Sequence, residues 1–136
     1  MKKKLLKMLS IIIMAALLAI PTSVQAEELV PLLDNINTLD VDMGFDGTAG
    51  NVSGGVTRQA GVVRMEGTIT LYEKVDNQWS FVDEWSGTTT RKSLGISGDF
   101  IAVSGREYKA VMTVTAYRNE GTLEETVTNE IIRTCP

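Results

Sequence analysis

The sequence predicts an all-β fold, an antiparallel sandwich of short strands. Apolar and polar side chains alternate through most segments after residue 62, as expected of strands with one buried face. Glycines and Asp-Asn or Asn-Glu pairs separate these segments and are typical of turns. No stretch after residue 26 has the three-four spacing of an amphipathic helix. We therefore expect one β-sandwich domain over residues 40–134.

Residues 1–26 have the layout of a secretory signal peptide. A cluster of four lysines precedes an apolar run from Met8 to Ile20, and small residues lead to Ala26. This pattern predicts cleavage after Ala26 and a secreted, extracellular protein. The alternative is an uncleaved membrane anchor, but the apolar run is shorter than the roughly 20 residues that cross a bilayer. We expect no stable membrane insertion after cleavage.

The segment between the signal and the domain, residues 27–39, mixes polar and apolar side chains around Pro31. We interpret it as a flexible N-terminal arm. Residues 44–61 follow and hold six glycines among scattered valines and threonines. Such a composition disfavours helix and predicts short, bent strands or bulges.

The charge balance limits the class of partner. The chain has 13 basic and 17 acidic residues, and loss of residues 1–26 removes four lysines and no acid, which leaves a net charge of −8. Nucleic acids and anionic membrane surfaces bind basic patches, so neither is an expected partner. The sequence leaves the oligomeric state open.

The composition also excludes common catalytic chemistry. Histidine is absent, which removes the Ser-His and Cys-His pairs and the usual zinc and haem ligands. No serine is followed by a lysine three positions later. In the pairs Asp83-Glu84 and Glu124-Glu125, neighbouring strand residues point to opposite faces, so neither pair acts as a catalytic dyad. We predict a protein that is not an enzyme and needs no cofactor.

The clearest strand pair spans residues 62–85. In VVRMEGTITLYEKV the odd positions are mostly apolar, and Asp76-Asn77 supplies a turn signal. The returning segment WSFVDEW places Trp79, Phe81 and Trp85 on one parity. We predict a hairpin in which Trp79 and Phe81 fill the core.

Three later segments continue the alternation, and an RNEG hairpin loop joins the last two of them. We expect their inward-facing residues to be Leu94, Ile96, Phe100, Ala102, Tyr108, Ala110, Met112, Val114, Ala116, Leu123, Val127 and Ile131.

Residues 62–132 resemble a fibronectin type III or related immunoglobulin-like module. The resemblance lies in ITLYEKVDNQW, in GREYKAVMTV and in the hairpin AYRNEGTLEETVT. It implies that Gly105 leads to a tyrosine corner at Tyr108, with the ring in the core and the hydroxyl bonded to backbone. The whole chain also resembles small exported proteins of Gram-positive bacteria that have no assigned function.

The segment LDVDMGFDG, residues 39–47, has two interpretations. A calcium loop that starts at Asp42 would have Asp46 and Gly47 at its fifth and sixth positions, as such loops require. Its third and twelfth positions would be Gly44 and Ser53, which supply no carboxylate. The favoured interpretation is a strand with Val41 and Met43 facing inward, followed by an Asp-Gly turn. A partial metal site at Asp42 and Asp46 is the alternative.

Exposed aromatic residues give the one candidate binding site. Tyr72 and Tyr117 fall on the outward parity of their strands, and with Trp85 they would form a patch that binds a sugar or a peptide. We predict a secreted binding or interaction module, with cell-wall polysaccharide or another surface protein as its partner. The alternative is an assembly subunit, linked through the N-terminal arm or through an intermolecular disulfide at Cys135.

Overall fold

The computed structural model describes residues 35–119 and 122–136, and within these ranges every regular element is a β-strand. The all-β prediction is therefore confirmed. No helix in the described ranges is long and apolar enough to cross a bilayer. The predicted signal peptide, its cleavage point at Ala26 and residues 27–34 of the arm lie outside the described residues. The strands are β1 (Ile36–Asp46), β2 (Ala49–Arg58), β3 (Arg64–Val75), β4 (Gln78–Thr89), β5 (Ser93–Ile101), β6 (Glu107–Asn119) and β7 (Thr122–Thr134).

The strands form two antiparallel sheets. One has three strands in the order β1-β2-β5, and the other has four in the order β4-β3-β6-β7. The sheets meet at two seams, where β4 lies beside β5 and β1 lies beside β7. This arrangement is the antiparallel sandwich that the alternation predicted.

The core lies between the inner faces of the two sheets. Phe45, Phe100 and Tyr108 meet at one end, with ring centroids 5.2 to 5.9 Å apart. Tyr108 and the alternate residues of β6 that follow it are buried, as predicted. The fully or largely buried apolar residues are Ile36, Met43, Val52, Val56, Val62, Met65, Ile69, Leu71, Leu94, Ile96, Phe100, Ala102, Tyr108, Ala110, Met112, Val114, Ala116 and Cys135.

Inward-facing glycines explain the glycine-rich segment. A Cβ added at Gly50 would collide with the ring of Phe100, and one added at Gly54 would collide with the sulfur of Met112. Gly98 of β5 gives the same room to the indole of Trp85. These positions lack side chains because large residues pack directly against the backbone there.

The first strand begins earlier than the sequence predicted. Ile36 is already in β1 and is buried, so residues 36–39 belong to the sheet and not to a flexible arm. A two-residue turn, Gly47-Thr48, joins β1 to β2, with Gly47 at a φ of 60°. At the β3–β4 hairpin, Asp76 and Asn77 have φ values of 52° and 60°, as a type I′ turn requires.

A β-bulge in β4 overturns the prediction for Trp79 and Phe81. Leu71 pairs with Asp83, whereas Tyr72 pairs with Phe81, so Val82 is an extra residue on β4. Because of the extra residue, side chains at alternate positions face one side of the sheet before the bulge and the opposite side after it. Val82 and Trp85 therefore pack against the core, while Trp79 and Phe81 face outward. Phe81 is 62% exposed, and its assignment to the core is wrong.

Cys135 is part of the core and not of a loose tail. It is 1% exposed, and its Sγ lies 3.4 Å from the carbonyl oxygen of Gly47. Its backbone N–H donates to the carbonyl of Arg106, and its own carbonyl accepts from the N–H of Gly105. A disulfide to another chain, the alternative raised for Cys135, would require this segment to leave the fold.

Candidate binding surface

The outer face of the four-stranded sheet holds a group of exposed aromatic and lysine side chains at one end. Strand pairing places Phe81, Tyr72, Lys109 and Ile132 in one row across β4, β3, β6 and β7. The next position along β4 and β3 adds the pair Trp79 and Lys74. We call these six residues the aromatic–lysine patch: Tyr72, Lys74, Trp79, Phe81, Lys109 and Ile132.

Two lysines lie against the rings of this patch. The Nζ of Lys109 is 4.8 Å from the centroid of the Trp79 ring and 5.2 Å from that of Tyr72. The Nζ of Lys74 is 5.6 Å from the Trp79 ring and 3.1 Å from a carboxylate oxygen of Glu107. These distances are in the range of cation–π attraction. The lysines thus hold the rings in place on the sheet surface.

The same patch exposes apolar surface to solvent. Phe81 and Ile132 stand at its two ends and are 62% and 49% exposed. Tyr72 and Trp79 between them are half-buried, partly by the lysine side chains. Contiguous apolar surface with a polar border is typical of a binding site, whereas single exposed apolar residues are common everywhere.

The opposite end of the same sheet face carries a second cation–ring contact. The guanidinium of Arg64 lies 4.0 Å from the ring centroid of Tyr117. Arg64 also forms an ion pair with Glu66, and the Tyr117 hydroxyl donates to Glu66 at 3.1 Å. We call these three residues the arginine–tyrosine cluster. Its cation, ring and hydroxyl all have partners within the cluster.

A strip of hydroxyl-bearing side chains lies between the two ends. Thr68 and Ser86 are hydrogen-bonded across β3 and β4 at 3.0 Å, and Thr115 and Thr126 across β6 and β7 at 3.2 Å. Thr70 donates to Glu84 at 3.4 Å next to the aromatic–lysine patch. The patch therefore continues into a flat polar surface.

The structure does not bring together Tyr72, Trp85 and Tyr117, the binding residues predicted from the sequence. Tyr72 pairs with Lys109 and Tyr117 pairs with Arg64, so the two tyrosines are eight positions apart along β3. Eight positions correspond to about 26 Å. Trp85 faces the core, with its indole over Gly98. Trp79 and Phe81 take the place beside Tyr72, because the bulge at Val82 turns them outward.

The two aspartates of the calcium-loop interpretation, Asp42 and Asp46, lie on one strand without a shared centre. They are four positions apart on β1, which corresponds to about 13 Å. Asp42 accepts from the guanidinium of Arg133 at 3.2 Å and from the N–H of Met43 at 2.8 Å. Among the described residues, no three acidic or cysteine side chains converge as metal ligands would. The segment is a strand and a turn, and it does not bring Asp42 and Asp46 together.

Asp46 instead borders a cavity of about 670 Å³ at the end of the three-stranded sheet. Asn51, Asp99, Phe100 and Ile101 also line this cavity.

Gly105 lies in the turn before β6, and Tyr108 lies at the start of that strand. The φ of Gly105 is 80°, a backbone conformation that favours glycine. The hydroxyl of Tyr108 accepts a hydrogen bond from the N–H of Val103 at 2.8 Å, while its ring is 1% exposed. A buried tyrosine bonded to backbone a few residues upstream is the geometry of a tyrosine corner.

Comparison with known proteins finds similarity to solved structures only. No family model matches the chain, and no curated protein does. The crystal structure of Spo0M, a sporulation control protein from Bacillus subtilis, is similar with a TM-score of 0.37 and 11% identity. The similarity covers 73% of this chain and 49% of Spo0M, so the chain spans about half the length of that protein. At this level the similarity carries no argument about function.

Proposed function

We propose that the chain is a secreted, non-enzymatic, fibronectin III-like β-sandwich that binds a polysaccharide at the cell surface or in the medium. The observation that carries the proposal is the aromatic–lysine patch, in which an exposed Phe81 and the half-buried rings of Tyr72 and Trp79 lie on the outer face of the sheet. Export rests on the signal-peptide layout of residues 1–26. Bacterial cell-wall polysaccharide is the partner that such an exported module would meet first.

The arrangement of strands supports a fibronectin III-like module. Three strands, β1-β2-β5, face four strands, β4-β3-β6-β7, in an antiparallel sandwich. The tyrosine at the start of β6 bonds back to the backbone of Val103, as in the tyrosine corner of immunoglobulin-like folds. Such sandwiches carry many functions, so we infer binding from the aromatic–lysine patch and not from the fold.

The composition of the sheet face favours a polysaccharide over a protein partner. Stable protein interfaces bury about 800 Å² on each side around an apolar centre. Here six side chains form the patch, and a strip of threonines and serines continues it. Aromatic rings stack on the apolar faces of sugar rings, and hydroxyl groups match sugar hydroxyls. An extended glycan chain along this face would use both features.

The alternative of an assembly subunit receives no support from the described residues. The thiol of Cys135 is buried, so it does not offer a link between chains. Residues 36–39 of the predicted arm are held in β1.

The proposal is tested with the product that a bacterial host exports from the full-length chain. Its intact mass should correspond to a chain that starts at Glu27. In affinity electrophoresis through gels that contain cell-wall polysaccharide, the exported protein should be retarded. Replacing both Trp79 and Phe81 by alanine should abolish the retardation, and Tyr117→Ala should leave it unchanged. Equal retardation of all three proteins would contradict the proposal, and so would mobility unaffected by any wall polysaccharide.

A further inference from the structure

Lys109 occupies a distinctive place within the aromatic–lysine patch. Its neighbours in the row across the sheet are Tyr72 on β3 and Ile132 on β7, and neither carries a charge. Its ammonium lies near two ring faces, those of Trp79 and Tyr72. In the described part of the chain, it forms no ion pair and no hydrogen bond.

Three other cations around this sheet have carboxylate partners. Lys74 pairs with Glu107 at 3.1 Å, Arg106 with Glu73 at 3.0 Å, and Arg64 with Glu66. Glu107, two positions before Lys109 on β6, is therefore already paired with a different lysine. Among the described residues, no carboxylate forms an ion pair with Lys109.

The surroundings of Lys109 make it a good partner for an external anion. The two rings cover part of the ammonium and attract it, which holds its position above the sheet. Lys109 is half-buried, and its ammonium has three N–H donors from which a carboxylate or a phosphate would accept charge-assisted hydrogen bonds. A sugar ring that stacks on Trp79 or Phe81 would bring its substituents within reach of this ammonium.

We propose that the aromatic–lysine patch selects anionic glycans, and that Lys109 binds their negative group. This inference rests on the proposed function, because it assumes that the patch binds a polysaccharide. The negative group is a sugar carboxylate or a phosphate ester, and both present the same acceptor oxygens. The rings supply contact area, and Lys109 supplies the preference for charge.

The test uses two pairs of polymers that differ only in charge. Polygalacturonate is compared with its fully methyl-esterified form, and dextran phosphate is compared with dextran. The exported protein should bind the charged member of at least one pair about tenfold more tightly, and added salt should weaken that binding. The pair that shows the preference identifies the negative group as carboxylate or phosphate.

Matched variants separate the charge of Lys109 from the net charge of the chain. Lys109→Gln should remove the preference for the charged polymer, whereas Lys109→Arg should keep it. Lys92→Gln makes the same change of charge at an exposed lysine outside the patch, between β4 and β5, and serves as the control that keeps the preference. Circular dichroism and thermal unfolding should show that all three variants retain the fold.

The outcomes separate this inference from the proposed function. Equal binding of charged and neutral polymers, or a preference that persists in Lys109→Gln, overturns the inference. The proposed function survives that result if Trp79→Ala still weakens binding. If Trp79→Ala binds both kinds of polymer as tightly as the unmodified protein does, both proposals fail.

Discussion

The two ends of the outer face of the four-stranded sheet use similar side chains in opposite ways. At one end Arg64 lies on Tyr117, and Glu66 satisfies both the guanidinium and the hydroxyl. At the other end Lys109 lies between Tyr72 and Trp79, and no carboxylate of the described ranges forms an ion pair with it. The charged and polar groups of the first end are partners of each other, and we call it the closed end. We call the second end, where we propose that a ligand binds, the open end.

This difference shows that a cation on an aromatic ring is not by itself evidence of a binding site. Such contacts stabilise a sheet surface by about 0.5–1 kcal/mol at exposed positions. A contact becomes informative when the surrounding structure leaves the cation without a counter-charge and leaves apolar surface beside it. Both conditions hold at the aromatic–lysine patch, where Phe81 is 62% exposed.

Deleting Val82 should have the largest effect, because it removes the bulge that creates the open end. Without the extra residue, Trp79 and Phe81 would change to the inner face of β4. We expect a loss of about 2–4 kcal/mol in unfolding free energy and no detectable polysaccharide binding. Urea denaturation and affinity electrophoresis measure the two effects. Val82→Ala is the control: it keeps the bulge and should bind normally, so loss of binding in that variant would count against this explanation.

Trp79→Ala should have the next largest effect, on binding alone. The ring of Trp79 is in contact with both lysines of the patch, and its removal should weaken polysaccharide binding about 30-fold, or about 2 kcal/mol. The matched change at the closed end, Tyr117→Ala, should alter the affinity less than twofold. Titration calorimetry with the same polymer compares the two variants. Similar losses in both would mean that the whole face binds, and not one end.

For stability, Tyr117→Ala should have a larger effect than Trp79→Ala. Tyr117→Ala removes a ring that Arg64 covers and a hydroxyl bonded to Glu66, so we expect a loss of about 1–2 kcal/mol. Trp79→Ala should cost less than about 1 kcal/mol, since its ring covers lysine side chains and not the core. Urea denaturation of the two variants gives both values. A larger loss at Trp79 would indicate that the patch is structural.

Ile132→Thr should have the smallest effect on affinity, because Ile132 lies at the border of the patch. Ile132 ends the row on the edge strand β7 and is 49% exposed. Threonine keeps the β-branched shape and removes apolar surface, so the affinity should fall about twofold or less. Calorimetry under the same conditions detects this change. A loss as large as that of Trp79→Ala would move the centre of the site toward β7.

Much of this fold can be predicted from alternation and turn residues. The buried positions of β6, the turn at Asp76-Asn77 and the inward residues Leu94, Ile96 and Phe100 all follow from local sequence. Local patterns carry this information because a strand with one buried face has a period of two.

The proposed binding surface could not be predicted in the same way. In WSFVDEW, strict alternation places Trp79, Phe81 and Trp85 on one side, and one inserted residue reverses the first two. The insertion becomes apparent only when β4 is paired with β3. The separation of Tyr72 from Tyr117 likewise depends on the β3–β6 register. The burial of Cys135 depends on Gly47, which is 88 positions away in the sequence.

The most direct test of the account uses the two tryptophans of the chain, Trp79 and Trp85. A proton–nitrogen NMR spectrum of the exported protein should show one indole signal from each, assigned through Trp79→Phe and Trp85→Phe. On titration with the polysaccharide that the protein binds, the Trp79 signal should shift with saturation and the Trp85 signal should stay in place. Movement of Trp85, or binding that leaves Trp79 unmoved, would contradict the assignment of the site to the open end of this sheet.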